Sequence, residues 1–101
     1  MTLYYLRIKK DKGFPTEGNR EGKYVRFDNT QADYKGWTYD GDEMEKSYSC
    51  SSIYEISKIQ TLTEISNTLD TEIVSINFVI QSMTTFDSYR PDAPERKLDD
   101  L

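Results

Sequence analysis

Four carboxylates fall within six residues of this chain, in the run Asp40-Gly41-Asp42-Glu43-Met44-Glu45. Carboxylates at such spacing could hold Ca²⁺ or Mg²⁺ through oxygen ligands. The run lacks the closing glutamate at the distance an EF-hand loop needs. Asp40-Gly41 is also a strong turn dipeptide, so a tight turn accounts for its first two residues. With Asp28 and Asp33 upstream, six acids lie within eighteen residues and are opposed by Lys35 alone. That density reads either as a solvated acidic loop or as an anionic surface steered toward a basic partner. Carboxylates so placed could occupy phosphate-binding positions on a DNA-binding protein, the way DNA-mimic inhibitors act as a class.

Aromatic side chains gather in the same region: Tyr24, Phe27, Tyr34, Trp37, Tyr39, Tyr48 and Tyr54. Half or more are accounted for as core or cross-strand pairs. The surplus, beside acids, matches the composition of interface hot spots. Asp28, Asp33, Tyr34, Trp37, Tyr39, Asp40, Asp42, Glu43 and Glu45 therefore form the expected partner-binding set, with Tyr34, Trp37 and Tyr39 as anchors.

Basic residues interleave with aromatics nearer the start: Tyr4, Tyr5, Arg7, Lys9, Lys10 and Lys12, then Lys23, Tyr24 and Arg26. On two paired strands these would make a small platform for single-stranded nucleic acid. No ribonucleoprotein motif accompanies them, and strand lysines also keep edge strands from mispairing.

Histidine is absent and Cys50 is the sole cysteine. The commonest general base and metal ligand is thus missing, a four-ligand structural zinc site is out of reach, and most serine and cysteine hydrolase chemistry is disfavoured. No phosphate-cradling loop or dinucleotide fingerprint occurs. The expectation is a non-enzymatic protein with no cofactor, no metal and no catalytic residues; a carboxylate and divalent-metal enzyme is the remotest alternative.

The elements that must position these residues follow from patterning. At 101 residues the chain is one domain, with 36% hydrophobic and 31% charged residues. Residues 1–27 carry a local charge of +4 and residues 28–101 a local −9, which sum to the net −5. Thr2–Lys9 alternates as a strand, with Tyr4, Leu6 and Ile8 on one face. Residues 10–22 read as a loop, Lys23–Phe27 as a second strand, 28–35 as polar and turn-forming, Gly36–Tyr39 as a third strand, and 44–50 as a weaker fourth. Ser52-Ile-Tyr-Glu55 has capping-box form and opens a helix over 52–69, whose apolar stripe is Ile56, Ile59, Leu62, Ile65 and Leu69. Its first four members recur every three residues, so the stripe is slanted. Residues 72–83, dense in Ile and Val, are expected as a central core strand.

The predicted fold is α+β. A mainly antiparallel sheet of three to five strands carries the helix on one face, in a domain spanning 1–86, and 87–101 forms a polar, flexible tail. One uncovered face and open edges make a homodimer plausible. The N-terminus has the wrong order of charge and apolar run for a signal peptide, and no membrane span occurs, so a cytoplasmic protein is expected. The composition, acidic and rich in Lys, Ile and Tyr, is similar in style to small accessory proteins of bacteriophages. The leading expectation is an acidic binding or inhibitor protein that docks on a nucleic-acid enzyme, a DNA-binding protein or a toxin. Its alternative is the nucleic-acid-binding module.

Overall fold

The computed structural model describes residues 1–12, 20–31 and 34–89. Among these described residues there are six strands: β1 (Thr2–Asp11), β2 (Tyr24–Gln31), β3 (Tyr34–Gly41), β4 (Ser49–Cys50), β5 (Leu69–Asn77) and β6 (Ser82–Phe86). A 3₁₀ turn, Met44–Lys46, precedes β4, and two helices, α1 (Ile53–Gln60) and α2 (Thr63–Ser66), separate β4 from β5. All strands join one antiparallel sheet in the order β3-β2-β1-β5-β6, with β4 also on β1. The fold is α+β, with one strand more than the expected upper limit.

β1 is the central strand because it can bury side chains on both faces. Leu6 lies opposite Ile73 on the helix-covered face, and Tyr5 lies opposite Val74 on the other; all four are buried. Along β1, β5 takes one edge, while β4 at Tyr4 and Tyr5 and β2 at Arg7 share the opposite edge. A register shift between Ile8 and Lys10 leaves Lys9 as an extra residue. Such a bulge reverses which residues face the core. Ile8 shares a face with Thr71 before it, and Asp11 shares that same face with Leu69 after it.

Leu6, Ile8, Val25, Ile56, Ile65, Leu69 and Ile73 form the core, with Trp37, Tyr39, Tyr48 and Phe86 packed at its margin. The helical segment is not continuous. Ser52 caps α1 through Tyr54 N (3.2 Å), one position short of the Glu55 N–H that the capping box would use. The helix then stops at Thr61, and Leu62 is extended (φ −56°, ψ 136°) and partly exposed. The three-residue spacing explains the break. Each such step rotates the stripe by about 60° from the helical repeat, so one straight helix could not keep Ile56 and Ile65 against the same sheet. A bend at 61–62 resets the phase, and Leu62 leaves the core as a result.

The stretch expected as one strand over 72–83 is a hairpin. β5 begins earlier, at Leu69, and ends at Asn77. The Asn77 side chain accepts from Val79 N (3.0 Å) and Ile80 N (3.3 Å), an Asx-type turn. Gln81 adopts φ +56° to bring β6 back. Residues 82–86, with 82 and 83 expected as the end of the single strand, form this sixth strand, and Gln60 Nε2 donates to Asp87 O (2.9 Å) just beyond it. The remainder of the expected tail, residues 90–101, lies outside the described residues. Among the described residues no helix is long and apolar enough to cross a membrane.

The left-handed residue supplies a test. A β-branched side chain resists positive φ, while glycine accepts it. Gln81→Val is expected to lower unfolding free energy by about 1–2 kcal/mol and Gln81→Gly to leave it unchanged or higher, read from urea denaturation. Equal losses for both would contradict the turn.

Candidate functional site

The acidic run lies at the end of β3, and the backbone there is held by close approach rather than by a turn. Asp40 and Gly41 belong to the strand, Gly41 pairing with Tyr24. A Cβ on Gly41 would sit 2.7 Å from Ser47 Oγ and 2.8 Å from Tyr24 O, so the position admits no side chain. The Asp40-Gly41 dipeptide is thus a strand end packed against β2, correcting the tight turn expected from its composition. Residues 28–31, expected as turn-forming, continue β2. The chain reverses between Gln31 and Tyr34, which pair with each other.

From this corner the carboxylates of Asp40, Asp42, Glu43 and Glu45 all reach solvent. Three are ion-paired. Arg26 Nη2 lies 3.2 Å from Asp40 Oδ1, Lys46 Nζ lies 3.0 Å from Glu43 Oε2, and Lys23 pairs with Asp42. Glu45 has no ion pair among these but stands near Tyr5, where its charge adds to the burial that raises the phenol's pKa above the ordinary value. Arg26, Asp40, Gly41, Asp42, Glu43 and Lys46 enclose a shallow open depression of about 270 Å³. Among the described residues no three His, Cys, Asp or Glu side chains converge to hold a metal ion.

The other expected site residues are dispersed. Asp28 lies half-buried on β2, on the far side of Arg26 from the corner. Asp33 lies outside the described residues, and Tyr34 opens β3. Trp37 and Tyr39 are structural: Trp37 packs edge-on between Phe27 and Tyr48, both at 4.9 Å, and both residues lie against the core. The Tyr39 hydroxyl donates to Glu64 O at 3.3 Å, and the Arg20 guanidinium lies 5.2 Å from its ring. Alternate Trp and Tyr residues on a strand that follows another aromatic strand are the pattern of cross-strand packing.

Four of the N-terminal cations have partners within the fold. Arg20 forks onto Asp11 with contacts of 2.5 and 2.9 Å, and this bond raises its pKa against the opposing effect of burial. Arg7 Nε bonds Glu72 at 2.9 Å; burial lowers its pKa, but bonds to Glu72 and Tyr24 outweigh burial and leave it raised. Lys12 donates to Ser66 O at 2.8 Å, and Lys9 pairs with Asp87 at 3.2 Å. The two arginine pairs were not legible in the sequence, because their partners are 9 and 65 residues away.

The two sets differ in burial. The Asp11 and Glu72 side chains are 1% and 17% exposed, whereas those of Asp40, Asp42 and Glu43 are 65%, 77% and 57% exposed. Burial makes a charge dependent on its partner, and exposure lets water replace the partner. Comparison with protein-family models, with curated proteins and with solved structures finds no match to this chain.

Two outcomes follow from this geometry. Gly41→Ala is expected to destabilise the fold by roughly 1–3 kcal/mol, since the nearest atom pressed is backbone or a short side chain; an unchanged denaturation midpoint would contradict the packing. Cys50 is partly buried beside Tyr48, and burial raises its thiol pKa. A smaller thiolate fraction means slower alkylation. Iodoacetamide at pH 8 should therefore modify Cys50 more slowly in the folded protein than in urea, and equal rates would contradict its burial.

Proposed function

We propose that this chain is a non-enzymatic binding protein whose charged corner, Asp40, Asp42, Glu43 and Glu45, engages a basic macromolecular partner. The observation that carries the reading is the contrast between committed and exchangeable charges. Exposed ion pairs contribute well under about 1 kcal/mol each, so lysines or arginines of a partner can replace Lys23, Arg26 and Lys46 at little cost. Arg7 and Arg20, by contrast, hold a partly buried and a buried acid, and turning either toward a phosphate would strand Glu72 or Asp11. The same contrast withholds Arg7 from the N-terminal nucleic-acid platform, whose Lys9, Lys10 and Lys12 stay exposed. Trp37 and Tyr39 serve here as supports behind the corner, not as anchors in the partner. An inhibitor of a nucleic-acid enzyme, a DNA-binding protein or a toxin fits this chemistry.

A fluorescent peptide of alternating lysine and arginine serves as a defined probe, followed by anisotropy. Binding should weaken with salt and fall by about tenfold for Asp40→Asn, Asp42→Asn and Glu43→Gln combined, equivalent to about 1.4 kcal/mol. A control neutralising Glu55, Glu64 and Asp70 should lose much less. Equal losses from the two triple variants, or tighter binding of single-stranded DNA than of the peptide, would overturn the reading.

A further inference from the structure

Residues 73–86, IVSINFVIQSMTTF, hold no ionisable side chain, a fourteen-residue run in a chain that is 31% charged. The run covers most of β5, its turn and all of β6, and β6 is an edge of the sheet. Edge strands in stable monomers carry lysine, proline or a bulge that prevents further pairing. The opposite edge, β3, carries Lys35 and Asp40; β6 carries no charge or proline and pairs with β5 without a register shift.

The backbone of β6 is set for a partner strand. Phe78 N donates to Met1 O at 2.9 Å on the β1 side of β5. Backbone groups alternate in direction along an antiparallel strand, so Val74 and Ile76 address β1, and Ile73, Ser75 and Asn77 address β6. Their partners Phe86, Thr84 and Ser82 point inward, and Ser75 Oγ also donates to Thr84 O at 3.4 Å. Met83 and Thr85 consequently turn their N–H and C=O groups outward. Around them Met1, Phe78, Val79, Ile80 and Met83 are exposed.

We infer that β6 pairs antiparallel with β6 of a second copy, about a two-fold axis at Thr84, to form a homodimer with one continuous sheet. In that register Met83 opposes Thr85 of the other copy, and the four outward backbone groups of each copy meet their complements. On one face the cross-strand row Leu3–Ile76–Met83 continues into the row Thr85–Val74–Tyr5 of the second copy, and the reverse row does the same. The surface is self-complementary, as a two-fold interface requires. Charge selects the occupant. Two molecules of net charge −5 repel except where neither carries charge, and a basic partner would find no acid here. Residues 90–101, with two prolines and seven charged residues, match neither the hydrogen-bonding row nor the apolar rows.

Sedimentation velocity on the full chain tests this at about 10–200 µM, which brackets dissociation constants expected of a small interface. The dimer should strengthen as salt screens the repulsion, opposite to the salt response of the charged corner, so the two readings fail separately. Met83→Lys and Met83→Glu, whose charges would face their own copies diagonally across the axis, should each raise the dissociation constant at least about tenfold. An equimolar mixture of the two should restore dimer. Thr85→Pro, which removes only an outward N–H, should also weaken association while thermal melting shows the fold intact. Sedimentation of the unmodified chain as monomer throughout, dimers of both Met83 variants as tight as the unmodified chain, or no restoration on mixing would overturn the proposal.

Discussion

The pairing of β1 with β5 is the constraint on which the remaining structure depends. It joins the first strand of the chain to one that starts some sixty residues later, and closing a loop of that length costs little more than closing one half as long. What fixes the register is burial on both faces. A slip of β1 by one residue would carry Leu6 out from under the helices and put Tyr5 in its place against Ile73. The bulge at Lys9 then reverses parity and turns Asp11 toward the core face. There its buried carboxylate requires Arg20, so a backbone irregularity in β1 dictates an ion pair with the chain before β2.

Charge in this protein is used in two ways. Arg7–Glu72 joins β1 to β5, and Arg20–Asp11 joins the end of β1 to the approach to β2; both have low-exposure carboxylates whose loss of partner would be severe. The pairs at the end of β3 are exposed, and they decorate a backbone already held by the close fit of Gly41. Cations of the basic first quarter of the chain meet acids from β3, β5 and the segments after β3 and β6.

Period-two alternation made β1 readable, since Tyr4, Leu6 and Ile8 do face the core. The serine cap made the start of α1 readable too. The strand and helix signals failed where tertiary contacts decide. Nothing local marks the bend at Thr61–Leu62; only the three-residue apolar spacing hints at it. Asn77 and Gln81 build a turn inside a run whose β-branched residues read as uninterrupted strand. Gly41 looked like a turn residue because Asp-Gly so often is one, whereas its role comes from Tyr24 and Ser47 lying against it. The acidic set was legible as composition, but the core duties of Trp37 and Tyr39 and the cations facing the acids emerge only once β2 and β3 are paired.

If β1 and β5 form the spine, their amides must open last. Native-state hydrogen exchange by NMR measures this directly, residue by residue. The amides of β1 that bond β5 and the amides of β5 that bond β1 should exchange most slowly, with protection near the global unfolding free energy. Those of β3 and of the hairpin turn at 78–81 should exchange through smaller local openings. Protection highest in β2 and β3, with β1 and β5 exchanging earlier, would contradict the account.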